Sequence, residues 1–202
     1  MAMKGEHEPG RGGEGPGEGR GEGGYRHDPA GAGSRIRADI VEVHVVRRGA
    51  EDGGWEVLQV QRAGRPLEGT WQPVMGHMEP GETAVKAAVR ELREEVGLDV
   101  EGAHGPTVGV WALEQVHPFY VAAIDSVVLS PRLMVLVGRA WAPRLNAEHR
   151  AYRWVCAEEA ARSGGQGCVW PGQRAAVREI VDLLREGNPV RELLRVGREL
   201  MG

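Results

Sequence analysis

GHMEPGETAVKAAVRELREEVGL, running from Gly76 to Leu98, is the stretch on which the reading of this chain turns. From Thr83 to Val96 it is an amphipathic helix. Val85, Ala88, Val89, Leu92 and Val96 recur at steps of three and four, an apolar stripe that must face a core. Lys86, Arg90 and Arg93 fall together on a basic face, and Glu91, Glu94 and Glu95 on a third. Gly97 ends the helix, as a glycine just past the last turn does. Three carboxylates on one helix face repel one another and give the helix nothing locally. A hard divalent cation with oxygen ligands turns that repulsion into coordination.

Working outward, the residues upstream read as strands. Ile36–Val46 alternates, with Ile40, Glu42, His44 and Val46 on one side and Val41, Val43 and Val45 on the other. Gly49–Gly54 is a hairpin-like turn into a second alternating strand, Trp55–Arg62. Trp71–Met75 is short and extended. Downstream, Val108–Val116, Leu133–Trp141 and the shorter Tyr152–Val155 read as strands, while 119–129 is open between strand and loop. Helices are expected over 172–185 and again over Val190–Leu200, after the break at Gly187-Asn188-Pro189. Strands, a helix, more strands and a closing helix suggest a mixed sheet between helices, in the α/β class.

Composition narrows the function. The chain has 202 residues, a net charge of −4 and a pI near 6.0, which argues against bulk duplex nucleic acid as a partner. Residues 1–34 are Gly- and Glu-rich and bury too little apolar area to order themselves, so they are expected to be a disordered tail. Two cysteines, Cys156 and Cys168, without CxxC spacing exclude a disulfide framework and a standard zinc site. The chain opens on polar residues and has no apolar run of membrane-spanning length; a soluble, cytoplasmic protein without a membrane partner is expected. There is no G-x-x-x-x-G-K-[ST] phosphate loop. His44, His104 and His117 are scattered, without zinc spacing, and His77 reads as a loop residue. Trp111, Trp141 and Trp154 read as core or cleft wall.

The fixed residues of the opening stretch are Gly76, five others, Glu82, seven others, Arg90-Glu91-Leu92, one other, Glu94-Glu95, one other, Gly97-Leu98. This resembles the box of the Nudix hydrolase family, residues 76–98 here, with no departure at a fixed site. At ordinary residue frequencies a chance match has odds of roughly one in ten million, so a merely solvated helix face is the poorer account. The resemblance implies an α/β/α sandwich over residues 35–202 and hydrolysis of nucleoside diphosphates linked to another moiety. It implies Mg²⁺ as cofactor, with Mn²⁺ as a substitute, and Glu91, Glu94 and Glu95 as metal-binding and catalytic carboxylates. The carbonyl of Met75 is a further implied metal ligand. Gly76 and Gly97 are backbone requirements, and Glu82 pairs with Arg90.

Outside the box, Arg62 at a strand end suits forked contact with phosphate, though a plain surface arginine fits as well. Trp71, in the segment leading into the box, is a second candidate substrate contact. Glu148-His149, six residues before Trp154-Val155, together with WPGQRAA from Trp170, is similar to the dihydroneopterin triphosphate and dATP pyrophosphohydrolase branch. In that branch a glutamate outside the box serves as metal ligand or base, which nominates Glu148. The implied substrate is a nucleotide-like triphosphate releasing pyrophosphate, with a dinucleoside polyphosphate or nucleotide sugar as alternative. A nucleotide sensor that does not turn its ligand over is the non-enzyme rival. Oligomeric state is open.

Overall fold

Ile40 to Arg47 makes the spine of the sheet, because Val41, Val43 and Val45 alternate along it and are buried against the same helix. The computed structural model describes residues 33–50, 53–102 and 105–201. The strands are β1 (Arg35–Arg37), β2 (Ile40–Arg48), β3 (Trp55–Arg62), β4 (Trp71–Gln72), β5 (Val74–His77), β6 (Thr107–Ala112), β7 (Phe119–Val121), β8 (Ser126–Val128), β9 (Arg132–Val137) and β10 (His149–Cys156). The helices are α1 (Ala84–Val96), the short α2 (Ala157–Ala160) and α3 (Pro171–Leu183). A seven-stranded sheet runs β10-β3-β2-β9-β6, with β4 added to β3 and β5 to β2. It is mixed: β2 lies parallel to β9 and antiparallel to β3 and β5. A small second sheet has the order β1-β8-β7.

The alternation of β2 divides the core. Val41, Val43 and Val45 pack with Ala88, Val89, Leu92 and Val96 of α1 on one face. Val46 joins Met134 and Leu136 of β9 under Ala176, Val177 and Ile180 of α3 on the other. Each of the valine, leucine, isoleucine and methionine side chains among them, fully buried, contributes roughly 1.5–3 kcal/mol. Helices on both faces of a mixed sheet make this an α/β/α sandwich. Helix α1 begins at Thr83, whose hydroxyl accepts from the Lys86 amide at 3.3 Å, and ends at Gly97 in the left-handed region (φ 67°). That conformation suits glycine and lets its N–H reach back to the carbonyls of the last turn.

Four expectations are corrected. The strand expected over Ile36–Val46 is two, broken at Ala38-Asp39, because Arg35–Arg37 leaves to pair with β8. No helix forms over Val190–Leu200 apart from a short 3₁₀ turn at Arg198–Leu200. Instead the chain runs through turns over 189–194, after which Leu194 and Val196 exchange backbone hydrogen bonds with Ala112 and Val110 of β6 and Arg195 bridges to Trp111. The strand from Leu133 stops at Val137, short of Trp141, whereas β10 starts earlier than expected, at His149. The open segment 119–129 resolves into β7, a 3₁₀ turn and β8.

Of the tail expected over 1–34, only Gly33 and Ser34 are described, Ser34 donating to Asp125 at 2.7 Å; the rest, like His104, lies outside the described residues. Trp111 is core, 2 % exposed. Trp141 and Trp154 meet edge to face at a centroid separation of 6.2 Å. Among the described residues no helix is long and apolar enough to cross a membrane.

Candidate active site

Arg90 organises the loop that leads from β5 into α1. Its Nε and Nη2 donate to the two carboxylate oxygens of Glu82 at 3.1 and 3.0 Å, a forked pair that closes the loop over the helix. Nη2 also reaches the His77 carbonyl at 2.8 Å, and Nη1 donates to Glu91 at 2.7 Å and Glu94 at 3.4 Å. The basic face expected from Lys86, Arg90 and Arg93 is therefore not a face in the fold. Arg90 turns inward to acidic partners, while Arg93 pairs outward with Glu101 at 3.2 Å. The Arg90 guanidinium holds the Glu82 carboxyl below the usual carboxylate range.

Gly76 is fixed by a close approach. A β-carbon there would lie 1.9 Å from Cδ and Oε1 of Glu91, so the glutamate lies flat against the β5 backbone only because no side chain stands in its way. The clashing atoms are the far end of a flexible side chain. Gly76→Ala is therefore expected to lower the melting temperature by only a few degrees while displacing Glu91 and reducing turnover roughly tenfold or more. A thermal melt beside a rate measurement checks both halves; an unaltered rate would show that the position of Glu91 does not matter.

The acidic face of α1 divides by depth. Glu91 is 9 % and Glu95 3 % exposed, whereas the Glu94 side chain is open to solvent. Glu95 meets the buried His149, Oε2 to Nε2 at 2.8 Å. His149 is carried there by β10, where it pairs with Arg62 at the end of β3. Burial raises the proton affinity of both buried carboxyls, for Glu91 against the pull of Arg90 and for Glu95 against that of His149. Mutual repulsion adds to it: Glu94 and Glu95 act on Glu91, and Glu148 on Glu95. As they stand, with Glu91 turned to Arg90 and Glu95 to His149, no three His, Cys, Asp or Glu groups among the described residues close on one point. The donor set still suits a hard cation. Its donors are all carboxylate oxygens, and burial disfavours the charged form of Glu91 and Glu95, a cost that a bound cation would offset.

These groups line a cleft of about 1160 Å³, somewhat larger than small-molecule sites usually are. Glu91, Glu94, Glu95, Glu148, Met75, Gly76 and Arg62 all border it. Arg62 has a buried Nε with no protein partner. Trp71 is not among the lining residues; its ring carries the Arg153 guanidinium 4.3 Å above it. On its α3 side the same cleft holds residues that the sequence reading passed over. Glu42, which pairs with Met75 on β5 and Arg132 on β9, is buried with Arg132 and lies beside Gln173 of α3, Met75 being half-buried. His44 donates or accepts against Glu42 at 2.7 Å, both side chains being nearly inaccessible. The available signal was the pair of polar residues on one side of β2, where alternation does not tell what covers them.

A mixed sheet between helices, with a carboxylate-lined cleft at the loop entering α1, defines the class. The family model of the NUDIX domain matches residues 39–180. The chain belongs to the Nudix family. It is 56 % identical to the mouse 8-oxo-dGDP phosphatase NUDT18 over 43 residues, which are 21 % of this chain and 13 % of that protein. It is thus similar to only about an eighth of that relative's length. It is 31 % identical to the mouse asymmetrical bis(5′-nucleosyl)-tetraphosphatase over 133 residues, covering 58 % of this chain and 69 % of that one. The solved structure of the Escherichia coli dihydroneopterin triphosphate pyrophosphohydrolase aligns with a TM-score of 0.55 at 26 % identity, over 70 % of this chain and 94 % of that one.

Proposed function

We propose that this protein hydrolyses a phosphoanhydride bond in a nucleotide-like triphosphate and releases pyrophosphate, with Mg²⁺ as its cofactor and Mn²⁺ as a substitute. The observation that carries the reading is that Glu91, Glu94, Glu95 and Glu148 line one cleft together with Arg62. Glu91, Glu94, Glu95 and the Met75 carbonyl hold the metal, with Glu148 as a further ligand or as the base. When bound, Mg²⁺ neutralises charge on phosphate oxygens and acidifies water. The chain's own part is positioning. Arg90 fixes Glu91, His149 fixes Glu95, and Arg62 offers a free donor to the phosphate tail. The raised proton affinities of Glu91 and Glu95 suit groups that take a proton from attacking water near neutral pH.

The likeness to the dihydroneopterin triphosphate enzyme supports a triphosphate substrate. The longer match to a dinucleoside tetraphosphatase supports a second reading, asymmetric cleavage of a dinucleotide. Retention of every box carboxylate weighs against a sensor without turnover. Product analysis with Mg²⁺ across dihydroneopterin triphosphate, NTPs, dNTPs and diadenosine polyphosphates separates these. Pyrophosphate from a triphosphate is expected; a nucleoside triphosphate and monophosphate from a dinucleotide would favour the second reading, and no product at all would remove both.

Metal dependence carries a pH signature. Protons and metal compete for Glu91 and Glu95, whose proton affinities are raised. Without metal, the stability linked to these groups is fully present below their unfolded pKa and is lost as pH rises through the folded value. Mg²⁺ should therefore stabilise the fold little near pH 5 and by roughly 2–3 kcal/mol near pH 8 at a hundred times its Kd. Thermal melts with Mg²⁺ and with chelator at both pH values check this. Equal shifts at both would place the ion elsewhere.

A further inference from the structure

We infer that the α3 side of the cleft is a base-edge site, in which Arg132 and Gln173 select a fused-ring base presenting a carbonyl oxygen beside a ring N–H. The inference rests on the nucleotide reading above and names the part of the nucleotide that this site chooses. Arg132 is 3 % exposed yet borders the cleft. Its Nε stands 3.0 Å from Glu42 Oε1, off the donor direction, so the contact is one of charge without a directed hydrogen bond. Both Nε and Nη1 lack a hydrogen-bond partner. Gln173, 2 % exposed, leaves its Oε1 without a partner, while its carboxamide also faces Glu42 and its Nε2 lies 3.7 Å from the Met75 sulfur. A buried donor and a buried acceptor left open side by side cost free energy unless a ligand completes them.

The pair is complementary to a lactam edge. The guanidinium donates to the ring carbonyl, and the carboxamide oxygen accepts from the adjacent N–H. A 6-aminopurine offers an amino donor to the guanidinium and a bare ring nitrogen to the carboxamide oxygen, so both contacts fail. Charge and shape argue against a phosphate here. Glu42 is buried beside Arg132, and the contacts from His44, Arg132 and Gln173 keep it a carboxylate despite its burial. Pro171 at the first turn of α3 removes one of the amides that an anion would use. Trp170, Phe119 and Tyr120, each 39–57 % exposed, stand in the same cleft wall and offer ring faces for a base to stack on. Gly172 keeps the approach open: a β-carbon there would come within 2.8 Å of Arg132 Nη2.

Equilibrium binding of inosine 5′-monophosphate and AMP, measured by calorimetry on the full chain in chelator, tests the edge without turnover. Inosine monophosphate carries the lactam edge without guanine's amino group. It is expected to bind roughly 10- to 100-fold more tightly than AMP, the discrimination typical of one well-made pair of contacts. Gln173→Leu and Arg132→Lys should each bring the two affinities to within about threefold. Arg132→Lys keeps the charge beside Glu42, and Gln173→Leu keeps that ion pair whole, so at least one should fold; melting curves identify which. Equal affinities in the wild type, no binding of either nucleotide, or a preference that survives in a folded variant would overturn the inference. A protein that binds inosine monophosphate preferentially but hydrolyses none of the panel would instead defeat the proposed reaction.

Discussion

Glu94→Gln and Glu95→Gln should each lower turnover roughly 100- to 1,000-fold at saturating Mg²⁺, the size of effect expected when one electrostatic contributor to a transition state is removed. The two variants reach that result from different surroundings. Glu94 is exposed, touching only Arg90 at the edge of hydrogen-bond range, so its amide cannot disturb packing. Glu95 is buried against His149, and the amide retains a partner for that ring. Because burial and Glu148 disfavour the Glu95 carboxylate, neutralising it should leave the metal-free melting temperature at neutral pH unchanged or raised. A loss of rate with equal or greater stability is the signature of a group held charged for function. If either variant kept the wild-type rate, the glutamate cluster would not be the catalytic centre.

How much of this was legible in the sequence depended on whether the determining contacts were local. The box was legible because its chemistry sits within a few turns of one helix: the stripe of Val89, Leu92 and Val96, the stop at Gly97 and the Glu82–Arg90 pair are all set by short spacings. The alternating strands β2 and β3 were legible for the same reason. What periodicity missed was decided by partners distant in the chain. The wheel put Arg90 with Lys86 and Arg93, but Glu82 and the His77 carbonyl lie before the helix and draw it in. Val190–Leu200 has helical spacing, yet β6 offers its edge to Leu194 and Val196. Alternation put Glu42 and His44 on one side of β2 without telling what covers that side; the residue beside Glu42 is Gln173 of α3, well over a hundred residues further on. Glu148 was found through its His149 neighbour, while the role of His149 in holding Glu95 needed the β3–β10 register.

Arg90→Leu is expected to be the most destabilising single change in the site. It leaves three carboxylates, Glu82, Glu91 and Glu94, with no countercharge, the first two largely shielded from water. Breaking a fully buried pair by removing one partner costs roughly 3–5 kcal/mol; the Arg90 side chain is 24 % exposed, which reduces the expectation to roughly 2–3 kcal/mol. For a domain of this size that is a fall of roughly 5–10 °C in melting temperature. The sign with pH follows from Glu82, whose proton affinity Arg90 lowers. Stability from that pairing is present above the unfolded carboxylate pKa and is lost as pH falls through the folded value, so the gap between variant and wild type should narrow in acid. Mg²⁺ should also narrow it near neutral pH, since a cation among Glu91, Glu94 and Glu95 supplies part of the missing charge. Paired melts with Mg²⁺ and with chelator would show that recovery. A gap indifferent to both pH and metal would mean that Arg90 acts through the packing of its stem, and that the acidic face of α1 needs no countercharge.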